Sequence, residues 1–218
     1  MTDTPDFASH FAACPLVASL RGIRPSEIDA IGTALMDAGI RLIEIPLNSP
    51  EPYESIARLA GLAQGRVLVG AGNVLDAESV GRVAGAGGQF ITSPATDAAV
   101  IAATRAENLV SIAGFFTATE ALTAIAAGAH ALKFFPAEAG SPAVLKAMRA
   151  ILPRDIPLIA VGGMTPDGIA AWRTGGADGF GLGAVLFRSG MAADVVGEAA
   201  QRFVAAAAGP SAVKPSAD

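Results

Sequence analysis

The chain has 218 residues, of which 52% are hydrophobic and 16% charged, with a net charge of −5 and an isoelectric point near 5.0. Such a composition can fill a large core and excludes a disordered chain, while its acidic balance offers no basic footprint for nucleic acid. Every apolar run breaks well short of the about 18 residues that a membrane span needs, so no membrane partner is expected.

Residues 5–14 predict a short helix closing the bottom of the fold. Apolar strands are expected at 15–20, 41–46, 67–72, 88–92, 109–114, 130–135, 157–162 and 178–183. The 15–20 run, PLVASL, is too short for the core of a secretion signal and has acidic residues before it. Between the strands lie alanine-rich amphipathic segments such as PSEIDAIGTALMDAG (25–39) and TATEALTAIAAG (117–128). Each closes on a glycine, Gly39 or Gly128, the residue that commonly ends a helix. Strands starting about two dozen residues apart leave room for one loop, one helix and one loop, repeated eight times. That pattern predicts a single α/β domain over residues 1–208, a (β/α)8 TIM barrel. GFGLGA (179–184) lacks the helix-opening third glycine and the later acidic residue of a dinucleotide fingerprint. The tail, GPSAVKPSAD (209–218), reads as disordered, and no linker divides the chain.

Cys14 is the only cysteine, which rules out an intrachain disulfide and points to a reducing, cytoplasmic location. With only His10 and His130 beside it, neither a zinc cluster nor a histidine triad can be built. The chemistry falls to carboxylates, amines, hydroxyls and backbone.

In a barrel of this kind functional groups sit at the C-terminal ends of the strands. Arg21 ends the first strand in SLRGI, Glu44 lies in LIEIPLNSP, the third strand runs into GAGN at Asn73, and Lys133 lies in AHALKFFPAE. Side chains alternate along a strand, so Glu44 shares a face with Leu42 and Lys133 with Ala131. The larger Ile43, Ile45, Leu132 and Phe134 suit the helix-facing side, which leaves Glu44 and Lys133 inside the barrel mouth. A lysine there reads either as a structural cation, snorkelling or paired with a carboxylate, or as an amine whose lowered pKa lets it attack a carbonyl. In the second reading a glutamate nearby would shuttle protons. Arg21 offers a planar fork for a carboxylate or phosphate, or else a mouth ion pair. Gly162 and Gly163 follow the seventh strand, with Thr165 expected as a helix cap and Pro166 at the first helical position; Gly181 and Gly183 precede another expected helix start. Glycine loops in those two slots are the usual phosphate cradle of the fold.

These residues resemble the class I aldolases that act on 2-keto-3-deoxy-6-phosphosugar acids, the KDPG and KDPGal aldolases. The likeness runs from about Pro15 to Ala206 through RGI (21–23), EIPLNSP (44–50), GAGNVL (70–75), TATEA (117–121), ALKFFPAE (131–138) and VGGMTP (161–166). EIPLNSP and TATEA are more similar to the phosphogalactonate branch, KFFPAE and the Ser93–Pro94 pair to the phosphogluconate branch. The resemblance implies a TIM barrel, Lys133 as the Schiff-base lysine and Glu44 as acid/base. It also implies substrate contacts from Arg21, Asn73, Pro94, Phe135, Gly162, Gly163, Gly183 and Ala184, a phosphorylated keto-deoxy sugar acid or pyruvate as small-molecule substrate, a homotrimer, and no metal or organic cofactor. Another phosphate-binding barrel, an isomerase or synthase, and a non-catalytic ligand-binding barrel are the competing readings.

Three positions depart from the family pattern. Asn73 stands where threonine is usual, Ala113 replaces the proline of a Pro-Gly pair ahead of Phe115 and Phe116, and Ala184 replaces a serine. All three are expected near the substrate, where they would keep pyruvate chemistry and shift the aldehyde preference toward acceptors less dependent on phosphate.

Overall fold

The computed structural model describes residues 6–208. The expected tail at 209–218 and residues 1–5 lie outside that range. Eight parallel strands close into a barrel in sequence order: β1 (Leu16–Ser19), β2 (Leu42–Pro46), β3 (Leu68–Gly72), β4 (Phe90–Thr92), β5 (Val110–Phe115), β6 (Ala131–Phe134), β7 (Leu158–Val161) and β8 (Gly179–Leu182). The fold is the expected (β/α)8 barrel. Each strand falls within two residues of its expected bounds, because short runs of large apolar residues flanked by glycine, proline and polar residues have no other low-energy use at that length.

Helices cover the outside: α1 (Phe7–Ala13), α2 (Ile28–Asp37), α3 (Pro52–Ala63), α4 (Ala77–Gly85), α5 (Ala98–Ala106), α6 (Ala118–Ala126), α7 (Pro142–Arg149), α8 (Ile169–Thr174) and α9 (Ala193–Ala207). Local chemistry starts and stops them. Asp76 and Asp97 cap α4 and α5, Ser141 caps α7, and Thr117 forms a reciprocal capping box with Glu120 at α6. Gly39 and Gly128 take φ of 99° and 94° just past α2 and α6, the left-handed step that ends a helix. Two expected helix starts differ. Thr165 caps only a turn, with the Gly168 N–H donating to its Oγ1 at 3.1 Å, and α8 begins at Ile169. After Gly183 the chain makes one turn, with the Leu186 N–H donating to the Gly183 carbonyl, and α9 begins only at Ala193.

The apolar residues divide by strand parity into two cores. Ile43, Ile45, Val69, Ala71, Leu132, Phe134, Leu158 and Ala160 face the helices. Val17, Leu42, Leu68, Phe90, Val110, Ile112, Ala131 and Ile159 fill the barrel interior together with Phe11 of α1. Strand β8 adds no side chain to that interior at its lower position, because Gly179 stands there. A Cβ on Gly179 would lie 2.5 Å from Phe11 Cζ, so the bare backbone is what lets the ring enter. Helix α1 therefore plugs the N-terminal end, as its sequence position suggested.

At the same end Asp178 accepts from the Leu158 N–H at 2.8 Å and from Arg149 at 3.3 Å, while His130 Nδ1 accepts from the Ser111 N–H at 2.9 Å. These contacts hold the strand entries and lie away from the cavity. Removing the plug with Phe11→Ala opens a void that the closed barrel cannot collapse around. The expected loss is about 3 kcal/mol, or roughly 6–12 °C in Tm, measured by thermal unfolding; an unchanged Tm would show that the ring is not a structural plug.

Candidate active site

Two residues above the apolar interior layer, the inward side chains change character. Val17 is followed on its face by Ser19, Leu42 by Glu44, Phe90 by Thr92 and Ala131 by Lys133. All four polar side chains line one cavity of about 510 Å³ at the C-terminal mouth, floored by Val17, Ile112 and Ile159. The loops after β7 and β8 wall it with Gly162, Gly163, Gly183 and Ala184, and Arg21, Asn73 and Phe135 complete much of the rest.

Lys133 is 7% exposed and Glu44 5% exposed. Burial pushes the Lys133 amine below the ordinary lysine range and the positive field of Arg21 adds to this, while Glu44 pulls the other way. Among the described residues the ion pairs are Arg58–Asp29, Arg66–Asp37 and Arg149–Asp178, and Lys133 enters none of them. Its Nζ lies 5.0 Å from the centre of the Phe135 ring. Desolvation is the largest influence on the amine, and Glu44 acts on it from beyond ion-pair distance.

The Glu44 carboxylate has been given its place by a missing side chain. A Cβ on Gly72 would lie 2.6 Å from Oε1 and 2.8 Å from Cδ. The second oxygen, Oε2, accepts a short hydrogen bond from Thr92 Oγ1, and Thr92 is itself only 2% exposed.

Of the residues expected at the site, Lys133, Glu44, Arg21, Asn73, Phe135, Gly162, Gly163, Gly183 and Ala184 meet in this cavity. Pro94 lies outside its lining, on the loop that packs against Gly114. Of the departing positions, Asn73 and Ala184 line it and Ala113 does not; Phe115 and Phe116 turn outward onto Phe134, at 5.5 and 5.3 Å between ring centres. Asn73 has φ 54°, where asparagine is tolerated and a β-branched threonine is strained. Its Nδ2 donates to Asn48 Oδ1 at 3.2 Å, joining the loops after β2 and β3.

Sequence reasoning missed five polar lining residues: Ser19, Thr92, Glu138, Arg188 and Ser189. Ser19 and Thr92 obey the same two-residue step that marked Glu44 and Lys133, and as small hydroxyl residues inside apolar runs they carry no charge that stands out there. Glu138, Arg188 and Ser189 lie in loops with no period to read. The Arg188 Nε donates to the Ala184 carbonyl at 3.1 Å, and the Glu138 carboxylate lies against the backbone of Gly162. Glu27 ties the arginine-bearing loops together, accepting from the Arg24 N–H at 2.9 Å and the Gly190 N–H at 3.3 Å.

Comparison with known proteins places this arrangement. Residues 8–201 match the family model described as KDPG and KHG aldolase. A probable 2-dehydro-3-deoxy-6-phosphogalactonate aldolase of Rhizobium meliloti is 43% identical over 91% of this chain and 92% of its own length. The 2-dehydro-3-deoxy-6-phosphogalactonate aldolase of Escherichia coli is 43% identical over 88% of this chain and 94% of its own length. A solved structure described as native KDPGal superposes with a TM-score of 0.87 at 43% identity, covering 88% of this chain and 93% of that one.

The lowered Lys133 pKa has a stability consequence with a definite sign. A base whose folded pKa lies below its unfolded value leaves the unfolded chain holding more protons, so stability rises with pH up to the unfolded lysine range. Lys133→Met, of similar length and without charge, is expected to melt at least about 2 °C above the parent at pH 7. The gap should narrow as pH rises toward about 10. A variant that melts lower at every pH would show that the ammonium is comfortably accommodated.

Proposed function

The chain belongs to the KDPG and KHG aldolase family, and on that premise we propose that it cleaves 2-dehydro-3-deoxy-6-phosphogalactonate reversibly to pyruvate and D-glyceraldehyde 3-phosphate, using Lys133 as the imine-forming amine and Glu44 as the proton carrier. The observation that carries the reading is one buried amine, held below the ordinary lysine range by desolvation, in the same cavity as a buried carboxylate.

In this mechanism the neutral Lys133 Nζ adds to the C2 ketone, and the carbinolamine loses water to give a protonated imine. The electron pair of the C3–C4 bond then flows into the imine as Glu44 takes the proton of the C4 hydroxyl, releasing the aldehyde and leaving an enamine. Protonation at C3 and addition of water free pyruvate and restore the amine. The substrate carries a carboxylate and a phosphate. Arg21, Lys133 and Arg188 are the cations facing the cavity, and the glycines at 162, 163 and 183 leave backbone amides open to an anion. With no hydroxyl at Ala184, phosphate recognition rests more on those backbone amides and on charge. The names of the 43% identical relatives favour the galactonate isomer. The gluconate isomer and 4-hydroxy-2-oxoglutarate are second readings, favoured by the family description itself.

The cytoplasmic location expected from the single cysteine and the homotrimer implied by the resemblance belong to the same proposal. Large apolar side chains at the surface, Leu75, Phe116, Leu122 and Ile151 among them, are of the kind a subunit contact covers. Among the described residues no helix is long and apolar enough to cross a membrane. Light scattering on the purified protein should give three times the 21.7 kDa chain mass, and a monomer at micromolar concentration would refute the trimer.

Borohydride reduction with pyruvate should leave one adduct on Lys133, found by peptide mass analysis, and an unmodified lysine would refute the imine mechanism. The adduct should form faster as pH rises through the lowered pKa of the amine and level off well below about 10.4, the free-lysine value. A rise centred on that value would mean that the amine is not depressed. Comparing kcat/KM for the two phosphosugar acid epimers decides between them, a higher value for the gluconate overturning the galactonate assignment.

A further inference from the structure

We infer that Thr92 is a positioning residue for the aldolase chemistry: its hydroxyl holds Oε2 of Glu44, so that Oε1 is the oxygen that exchanges protons with substrate. The inference rests on the role proposed for Glu44 above and adds to it a residue that fixes which face of the carboxylate works.

Three observations carry it. Thr92 ends β4 on the inward face, is 2% exposed and lines the same cavity as Glu44. Its Oγ1 donates to Glu44 Oε2 across the barrel interior, from a strand that is not a neighbour of β2 in the sheet. The whole carboxylate lies over the bare Cα of Gly72, where a Cβ would stand 2.6 Å from Oε1 and 3.1 Å from Oε2, so the Thr92 hydrogen bond is what distinguishes the two oxygens. A hydroxyl has one proton, and once it is given to Glu44 the oxygen keeps only acceptor capacity toward the cavity. The carboxylate is thus held by a hydrogen bond on one oxygen and by the bare backbone of β3 beside its plane.

The charged groups that share the cavity are Arg21, Lys133, Glu138 and Arg188, and none of them is within ion-pair distance of Glu44 among the described residues. No charge partner fixes the rotamer of Glu44. A buried carboxylate without such a partner needs a specific hydrogen bond to choose one orientation, and a proton carrier displaced by about 1 Å loses on the order of a hundredfold in rate. Threonine supplies the donor at the cost of one hydroxyl, and its methyl packs as the valine that strand propensity alone would place there.

The test compares Thr92→Val, which keeps shape and removes the hydroxyl, with Thr92→Ser, which keeps the hydroxyl and removes the methyl. With 2-dehydro-3-deoxy-6-phosphogalactonate as substrate, the valine variant should lose about ten- to a hundredfold in kcat with KM changed by less than about threefold. The serine variant should recover most of that loss. Combined with Glu44→Gln, the valine substitution should cost less than about twofold further, because a residue that acts through Glu44 has nothing left to position. Parent-like kcat in the valine variant, an equal loss in the serine variant, or full additivity with Glu44→Gln would each overturn the inference. Failure of the underlying reading would look different, since Glu44→Gln alone would then keep a parent-like kcat.

Discussion

Desolvation of a single amine sets the terms for the rest of this molecule. An ammonium taken out of water loses several kcal/mol of hydration unless a partner repays it, and among the described residues no carboxylate stands within ion-pair distance of Lys133. Direct contact would have held the lysine charged and unreactive. Separation leaves burial as the dominant influence, with Arg21 pushing in the same direction. For burial to act, water has to be absent from below the amine as well as beside it. The interior layer from Val17 to Ile159 and the Phe11 ring beneath it meet that need. A helix at the far end of the barrel is thereby connected to the buried amine through the dielectric of the core between them.

The same two-residue period that makes a barrel makes the site. One step up each strand from an apolar residue lies a polar one, at Ser19, Glu44, Thr92 and Lys133, and only at the C-terminal mouth is there space for ligand beside them. Part of that space comes from omission. Inward positions on β3 and β8 are glycines, at 70, 72, 179 and 181, and each answers to a bulky neighbour. Gly70 admits the Phe90 ring, Gly72 the Glu44 carboxylate, Gly179 the Phe11 ring, and Gly181 the Val161 side chain. Small residues facing large ones are how a narrow barrel fills its taper, and here one of the large side chains is a carboxylate of the candidate site rather than packing.

The strands, the fold class and the Glu44–Lys133 pair were legible because each follows from periodicity, which is a property of local sequence. Arg21, at a strand end, was legible for the same reason. What periodicity cannot reach was read less well. Thr165–Pro166 has the composition of a helix start, yet the chain spends those residues on a turn, since the Gly162–Gly163 step at φ 118° and 65° sets the direction in which it leaves the strand. Arg188 and Glu138 come to the cavity by loop paths that no repeat encodes. Asn73 was read as a lost hydroxyl, a statement about the substrate, whereas its φ of 54° makes it first a statement about backbone. Once the chain turns left-handed there, asparagine fits and threonine is strained, and the contact to Asn48 follows.

Thr92 shows how far a period can be pushed when small hydroxyls inside apolar runs are counted among the polar residues. A hydroxyl on an inward strand position has no role in packing that valine would not fill as well, and an unpaired buried hydroxyl costs about 1–3 kcal/mol. Its presence at the top of β4 therefore implies a partner, and the carboxylates within reach are those at the ends of other strands. The barrel offers Glu44 as that partner, across its interior rather than along the sheet. Buried polar residues in the upper layer of such a barrel are in this sense a set, each accounting for the next, and the member with the weakest chemistry of its own is the one that decides how the strongest is aimed.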